Sequence, residues 1–242
     1  GRLVYERYFG ALAPHLPHIA MSVTKSFVGT LAGMMVADGR LDPAAPVPAY
    51  VPELAGSGYA DATVRQVMDM TTAIAYTEVY TDPASDVWAM RRANGTAPPL
   101  PGAEPTSLLD YLTTRRKQGE HDRVFAYRTV NTDVLGWIVR RVSGKGLADL
   151  MSERIWQPMG AEEDAYFTVD RLGMEYGGGG LNTTLRDLAR FGEVMRNGGR
   201  FNGRQIVPAR VIDEIARGGD REKFAPAGFL TLPGWSYRMQ WW

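Results

Sequence analysis

The chain has 242 residues, and its 27 lysines plus arginines balance its 27 aspartates plus glutamates, so the formal net charge at pH 7 is zero. A hydrophobic content of 45% and a charged content of 22% are typical of a globular protein with one large domain or two modest ones. Zero net charge argues against a nucleic-acid or electrostatic membrane binder, and the absence of cysteine excludes disulfides, thiolate nucleophiles and cysteine-based metal sites.

The first predicted element is a β-strand at Leu3–Phe9, a segment rich in Val, Tyr and Phe. The sequence begins with Gly rather than Met, so we expect that its true N-terminus is missing, and a signal peptide could have been removed. No apolar run is long enough to span a membrane. The compartment is therefore open, with a cytoplasmic location favoured.

The stretch Ala20–Phe27 contains the only Ser-x-x-Lys of the chain, formed by Ser22 and Lys25. Apolar residues at helical spacing follow, and Gly39 is expected to end the helix. Residues three apart share one face of a helix, so the two side chains would be neighbours. Ser22 is a candidate nucleophile and Lys25 its proton acceptor, if the environment lowers the pKa of the lysine. The alternative is a helix cap followed by a solvated lysine.

Capping residues, helical spacing and terminators predict a mostly helical middle region after a proline-rich surface loop at Pro43–Pro52. The predicted helices are Thr63–Met70, Ser107–Lys117, Asn131–Val142, Leu147–Trp156, a helix capped by Thr183 or Thr184 that ends at Gly198, and Pro208–Ile215. Residues 71–106 are predicted to be irregular and to include Tyr80; a loop of this length is usually a binding loop or lid. The aromatic tail Trp235–Trp242 predicts a final strand.

Strands near the ends and helices between them predict an α+β fold. In this prediction 1–42 and 200–242 form the sheet domain, which includes the Ser-x-x-Lys helix. Residues 43–199 form a mostly helical domain with the loops of Tyr80 and Tyr127. Two or three strands are too few for a stable sheet beneath so many helices, so we expect further strands beyond this sequence.

Tyr127 precedes a predicted apolar helix, so its hydroxyl can project from a loop into a cleft. A tyrosine beside a cationic lysine can be held partly as phenolate and can pass protons between a serine and a leaving group. The alternative for Tyr127 is an aromatic residue at the edge of the core. Asn131 is a candidate for orienting a substrate carbonyl or the lysine, or else the N-cap of the helix.

Four consecutive glycines, Gly177–Gly180, precede another predicted helix. Such a run can hold a phosphate, but this one lacks the Lys-Ser/Thr of a P-loop and the context of a dinucleotide fingerprint. Close approach of the backbone to the helix of Ser22 is the preferred explanation. Gly178 and Gly179 are included among the candidate substrate-binding residues.

The blocks around Ser22, Tyr80, Tyr127 and Gly178–Phe191, in this order, resemble serine hydrolases related to class C β-lactamases and DD-peptidases. Within that group they are most similar to 6-aminohexanoate-dimer (nylon oligomer) hydrolases and their esterase-like relatives. The resemblance implies a β-lactamase/penicillin-binding-protein-like fold, in which a helical domain is inserted into an antiparallel sheet domain. It also implies an acyl-serine hydrolase for small amides or esters.

Carried onto this sequence, the resemblance makes Ser22 the acylated nucleophile, Lys25 its proton acceptor and Tyr127 the acid/base for the leaving group. Tyr80 matches the tyrosine that contacts the scissile amide, and the N–H of Ser22 is one oxyanion donor. The implied partner is a small-molecule amide or ester. No metal, organic cofactor, nucleic acid or membrane is implied, and a homodimer is left open.

The sequence also departs from the family. Related β-lactamases carry Tyr-x-Asn, whereas Tyr127 is followed by Arg128 and Thr129, which weakens a β-lactamase assignment. The Lys-Thr-Gly or His-x-Gly motif, which would supply the second oxyanion donor, is absent; losing one donor costs about 10²–10³ in rate, so we expect a longer protein. A DD-peptidase or weak β-lactamase, and a sensor that is acylated at Ser22 without turnover, remain alternatives.

Overall fold

Helix α1, Val23–Ala37, lies at the centre of the fold in the computed structural model, which describes residues 2–242. Most of its residues are buried, because α1 is packed by other helices on several sides. Phe27 stacks on Phe191 with ring centroids 3.8 Å apart, deep in the main hydrophobic core. The residues that follow Ser22 are therefore fixed by packing along the whole helix.

The other elements are short. The helices are α2 (Val64–Met68), α3 (Asp86–Ala93), α4 (Leu108–Thr113), α5 (Thr129–Ser143), α6 (Leu147–Met151, continued by a π-helical turn at Ser152–Trp156), α7 (Leu185–Arg196), α8 (Ala209–Arg217) and α9 (Arg221–Phe224). The strands are β1 (His18–Ile19), β2 (Tyr166–Phe167), β3 (Leu181–Thr183), β4 (Arg200–Phe201) and β5 (Arg204–Gln205). Short 3₁₀ turns lie at Val47–Ala49, Pro52–Gly56 and Ala225–Ala227.

The small sheet fixes the start of α1 against the glycine run. Its order is β1-β3-β2, all antiparallel, with His18 opposite Thr183; β4 and β5 form a separate hairpin. Immediately after β1, the N–H of Ala20 donates to the carbonyl of Leu181 at 2.8 Å, and the N–H of Leu181 donates to Thr24 Oγ1 at 3.2 Å. The end of the glycine run is therefore bonded to the first turn of α1.

Several predicted helix boundaries are confirmed, because they depend on local capping. Thr63 forms a capping box with Gln66 at the start of α2. The side chains of Ser107 and Thr184 accept the expected N–H bonds at α4 and α7. Gly144 ends α5 in the left-handed conformation, with φ of 71°.

The strands predicted at Leu3–Phe9 and Trp235–Trp242 are wrong for the described residues, where neither segment is a strand. A strand needs a partner strand, and neither segment is paired with the sheet β1-β3-β2 or with the β4–β5 hairpin. Gln240 takes a positive φ of 66°, and its side-chain amide donates to the carbonyl of Met68 at 2.9 Å. The tail is consequently a tight turn tied to α2 and α1.

Three further expectations need correction. Residues 71–106 are not irregular throughout, because they contain α3, whose apolar positions Val87 and Met90 are buried. The Pro43–Pro52 segment is not confined to the surface, since Val47 and Val51 are buried in the core. Helix α4 ends before Lys117, the end that was expected.

The α+β class predicted from the sequence is confirmed, with helices packed beside short antiparallel strands. The division into 1–42 plus 200–242 and 43–199 stays a prediction. Within residues 2–242, no helix combines the length and apolarity needed to cross a bilayer.

The contact between α1 and the C-terminal turn can be tested at Gly29. A Cβ at this position would lie 2.1 Å from the backbone oxygen of Met239, which cannot move without shifting the turn. We expect Gly29→Ala to lower the free energy of unfolding in urea by about 1–3 kcal/mol. Gly192→Ala in α7 is the matched control, because a Cβ there meets nothing within 4 Å. It should instead stabilise the protein by about 0.5–1 kcal/mol; equal effects of the two substitutions would contradict the packing described.

Candidate active site

Ser22 and Lys25 meet at the start of α1, as their spacing predicts. Lys25 Nζ donates a hydrogen bond to Ser22 Oγ at 3.1 Å. Ser22 stands at the N-cap position, but its side chain makes no capping hydrogen bond. The hydroxyl is exposed, whereas Lys25 is only 1% exposed. The capping alternative with a solvated lysine is therefore wrong: an accessible hydroxyl faces a buried amine.

The turn before Ser22 is strained. Met21 is exposed and has a φ of 47°, a left-handed conformation that side chains other than glycine rarely adopt. Such residues cost about 1–3 kcal/mol and concentrate at functional sites. The strain lies directly between β1 and α1, where it turns the Ser22 hydroxyl towards the surface.

The surroundings of Lys25 change the pKa of its amine in two opposite directions. Burial lowers the pKa of Lys25 well below the usual lysine value, because the charged ammonium is removed from water. The negative charges of Glu78 and Asp133 act in the opposite direction. A second hydrogen bond, to the carbonyl of Gly178, fixes the amine. This buried amine is a base that can work near neutral pH.

The glycine run brings its backbone against the lysine, as its composition predicts. A Cβ at Gly178 would lie 2.3 Å from Thr129 Cγ2, so only glycine fits at the place where the Gly178 carbonyl receives Lys25. Gly178 and Gly179 are buried. Their position supports the expected close approach of the backbone, and their role in substrate binding stays a prediction.

Tyr127 lies beside the pair. Lys25 Nζ is 5.1 Å from the centroid of its ring, and the other face stacks on Trp242 with centroids 5.5 Å apart. Burial raises the pKa of Tyr127 to about 12; an interaction with Ser22 acts against this and the charge of Glu78 adds to it. The raised pKa favours the protonated phenol over the phenolate expected from the sequence, so that Tyr127 can act as a proton donor.

The sequence reasoning missed Glu78. One oxygen of its carboxylate accepts from the N–H of Thr129 at 2.7 Å, and the other accepts from Thr129 Oγ1 at 2.6 Å. The Tyr80 hydroxyl also donates to this carboxylate, at 2.9 Å. Glu78 thereby joins the loop of Tyr80 to the first turn of α5. No local pattern marks this role, because Thr129, to which Glu78 is bonded twice, lies 51 residues away.

Asn131 is not the N-cap of α5, which is one of its predicted roles. Arg128 occupies the N-cap of α5, so Asn131 lies inside the first turn. Its side chain is fully buried, and its oxygen accepts from the hydroxyls of Tyr59 at 3.0 Å and Thr72 at 2.8 Å. These hydroxyls need an acceptor in the core, so Asn131 supports the floor behind the site, and its role in orienting a substrate carbonyl or the lysine stays a prediction.

A cavity of about 530 Å³ opens beside Tyr127. Most of its wall is aromatic or aliphatic, and Glu78 and Tyr80 supply polar groups. Its lining residues are Glu78, Tyr80, Phe125, Ala126, Tyr127, Pro226, Ala227 and Phe229. An apolar cleft with a few convergent polar groups is typical of a small-molecule site.

Comparison with known proteins confirms the β-lactamase/penicillin-binding-protein-like fold expected from the sequence. The Beta-lactamase family profile matches residues 1–242. The sequence is 42% identical over 238 residues to the 6-aminohexanoate-dimer hydrolase of Paenarthrobacter ureafaciens, a match that covers 98% of this chain and 60% of that protein. A structure from Bacillus anthracis, described as a candidate 6-aminohexanoate-dimer hydrolase, aligns with a TM-score of 0.89 and 33% identity over 100% of this chain and 62% of that one.

A more distant structure shares the fold alone. The D-stereospecific amidohydrolase of Streptomyces sp. aligns with a TM-score of 0.63 and 19% identity, over 87% of this chain and 68% of its own. The present chain spans less than two thirds of the length of the two 6-aminohexanoate-dimer hydrolase relatives.

The role of the glycine run can be tested at Gly178. We expect Gly178→Ala to displace the carbonyl that holds Lys25 Nζ, and to slow the reaction of Ser22 with a fluorophosphonate probe by at least about tenfold. The rate is measured by intact-protein mass spectrometry. Gly177→Ala is the neighbouring control, since a Cβ there finds ordinary contacts of 3.4 Å or more. Equal labelling of both variants and the wild type would show that the Gly178 carbonyl does not position the lysine.

Proposed function

Because the chain belongs to the beta-lactamase family, we propose that it carries the catalytic centre of a serine hydrolase that forms an acyl-enzyme on Ser22 and hydrolyses small amides or esters. The observation that carries the proposal is the hydrogen bond between the buried amine of Lys25 and the exposed hydroxyl of Ser22. An ordinary lysine is protonated at neutral pH, but a desolvated one can accept the proton of a nucleophile.

Acylation begins when Ser22 Oγ attacks the carbonyl carbon of the substrate and its proton passes to neutral Lys25. Negative charge then develops on the substrate oxygen. Ser22 stands where the first backbone N–H groups of α1 have no intrahelical acceptor, so its own N–H is a donor for that oxygen. The positive end of the helix dipole acts in the same direction.

The leaving group departs with a proton from Tyr127. As a neutral phenol next to Lys25, Tyr127 donates to the departing amine or alkoxide and recovers a proton from the lysine ammonium. Deacylation repeats these transfers in reverse: a water molecule loses a proton to the same base and attacks the acyl carbon. Ser22 then regains its proton and the acid product is released.

The cavity supports an acyl chain of methylene groups as the preferred substrate. Phe125, Ala126 and Phe229 provide an apolar wall, and the hydroxyl of Tyr80, which also lines the cavity, can turn from Glu78 to donate to the scissile amide. The relative with 42% identity is named for the 6-aminohexanoate dimer, a short amide of ω-amino acids. We therefore assign this chain to amides of the same kind, with simple esters as secondary substrates.

The features at Thr129 argue against a β-lactamase. The family's β-lactamases carry an asparagine at this place, and the Thr129 hydroxyl is instead buried and bonded to Glu78. It is unavailable to a substrate amide. We accordingly expect no measurable turnover of nitrocefin by protein that hydrolyses the 6-aminohexanoate dimer.

The nucleophile and base can be tested with a p-nitrophenyl ester. We expect a burst of p-nitrophenol equal to the enzyme concentration, followed by steady turnover, and Ser22→Ala and Lys25→Met should each lower kcat/KM by at least about 10³-fold. Lys117→Met is the matched control, because Lys117 pairs with exposed Asp61 on the surface. Fluorophosphonate labelling that persists in Ser22→Ala would overturn the assignment, and a stable adduct without turnover would identify a sensor.

The role of Tyr127 can be tested by comparing leaving groups. An amine leaving group needs a proton, whereas p-nitrophenolate departs without one, so Tyr127→Phe should slow amide hydrolysis by about 10²–10⁴-fold and the activated ester far less. Tyr166→Phe, at an exposed tyrosine in β2, is the control and should leave both rates unchanged. Equal losses with both substrates would show that Tyr127 does not act as the acid.

A further inference from the structure

We propose that Asp133 is the positioning residue for the base of this site: it accepts from the N–H of Gly178, the residue whose carbonyl holds Lys25 beside Ser22, and so fixes the amine through the backbone of that glycine. This inference rests on the proposed role of Lys25 as proton acceptor. Neither the sequence motifs nor the family resemblance assigns Asp133 any role. It lies one turn into α5, on the helix that packs most closely against α1.

The connection between the two side chains is the backbone of a single residue, Gly178. The N–H of Gly178 donates to Asp133 Oδ1 at 2.9 Å, and the carbonyl of the same glycine accepts from Lys25 Nζ. The carboxylate therefore fixes the orientation of the residue whose carbonyl fixes the amine. Since only a glycine fits between Thr129 and the ring of Tyr176, this bridge tolerates no side chain.

The burial of Asp133 indicates that its charge has a function. The side chain is fully buried, and Oδ2 makes no hydrogen bond of normal geometry within residues 2–242, although the nearby backbone of Gly177 helps to lower the pKa of the carboxyl. A buried carboxylate with an unpartnered oxygen is costly unless an opposite charge compensates it, and an apolar residue would often serve stability better. The ammonium of Lys25 is the compensating charge, and the attraction is mutual.

The groups around Lys25 and Asp133 determine whether the pKa of each is raised or lowered. Burial raises the pKa of Asp133, while hydrogen bonding by Gly178 and the charge of Lys25 lower it. Glu78 faces both groups from the loop before α3, and its charge favours the protonated forms of both. The phenols around the pair have pKa values raised chiefly by burial, so they stay neutral: Tyr59, Tyr76, Tyr127 and Tyr176.

An ionised Asp133 favours the ammonium form of Lys25, so it raises the pKa that burial has lowered. Removing its charge must lower the pKa of Lys25 further. Ser22 would then react over a range that extends to lower pH, because the amine is neutral there. The amine would also be a weaker base, so the rate on the plateau would fall.

The test uses the sparse lysine content of the chain. With ¹³Cε-labelled lysine the protein gives only four lysine signals, from Lys25, Lys117, Lys145 and Lys223. The Lys25 signal is identified by its loss in Lys25→Met. In the wild type we expect it to titrate at a lower pH than the other three. In Asp133→Asn we expect its midpoint to fall by about one further pH unit, the size typical for removing a neighbouring opposite charge.

Asp187→Asn is the matched control. Asp187 is another fully buried carboxylate that accepts backbone N–H groups, but it does so at the start of α7. We expect this variant to be destabilised without any change in the Lys25 midpoint. A midpoint that is unchanged or raised in Asp133→Asn, or lowered equally in Asp187→Asn, would overturn the proposal.

Two further measurements test the link between Asp133 and Lys25: the titration of the wild-type protein and the pH dependence of Ser22 labelling. If Asp133→Asn does not fold, the wild-type titration answers instead: the Lys25 signal must show a second inflection from the ionisation of Asp133, and a single inflection overturns the link. The pH dependence of Ser22 labelling should shift in parallel with the Lys25 midpoint. Because the lysine titration needs no catalysis, a protein that shows the shift but no hydrolysis would refute the hydrolase proposal and retain the Asp133–Lys25 link.

Discussion

The burial of the Lys25 amine next to an exposed serine hydroxyl is the constraint on which the rest of the site depends. An ammonium removed from water is unstable unless nearby groups compensate it, and too much compensation would leave it permanently protonated. The fold meets both demands with one carbonyl from the glycine run and the charges of two carboxylates, Glu78 and Asp133. The amine of Lys25 can therefore be either neutral or protonated near neutral pH.

The surrounding architecture follows from that requirement. Helix α5 packs on α1 and carries Asp133 to the lysine, while its first turn is held by Glu78 from the loop of Tyr80. Burial chiefly, with a contribution from the charge of Glu78, raises the pKa of Tyr127 and favours a proton donor over a phenolate. The charge of Glu78 therefore favours the protonated forms of both Lys25 and Tyr127.

The parts of this account that the sequence predicts are local ones. The adjacency of Ser22 and Lys25 follows from helical spacing, and the cap of α7 is Thr184, one of the two threonines predicted for it. By contrast, Glu78 acts on residues some fifty positions away and Asp133 on a glycine 45 positions away, so neither has a local signature. The predictions of strands at Leu3–Phe9 and Trp235–Trp242 are wrong for a related reason. A sequence rich in β-forming residues favours a strand, but a strand also needs a partner strand to pair with.

The central claim is that Ser22 becomes acylated during turnover, and trapping the intermediate tests it most directly. Protein mixed with excess 6-aminohexanoate dimer and quenched in acid within the first turnover is digested and mapped by mass spectrometry. The account predicts one modified peptide, the one that contains Ser22, with a mass increase equal to the acyl part of the substrate. Substrate consumption with no adduct on Ser22, or with the adduct on another residue, would contradict it.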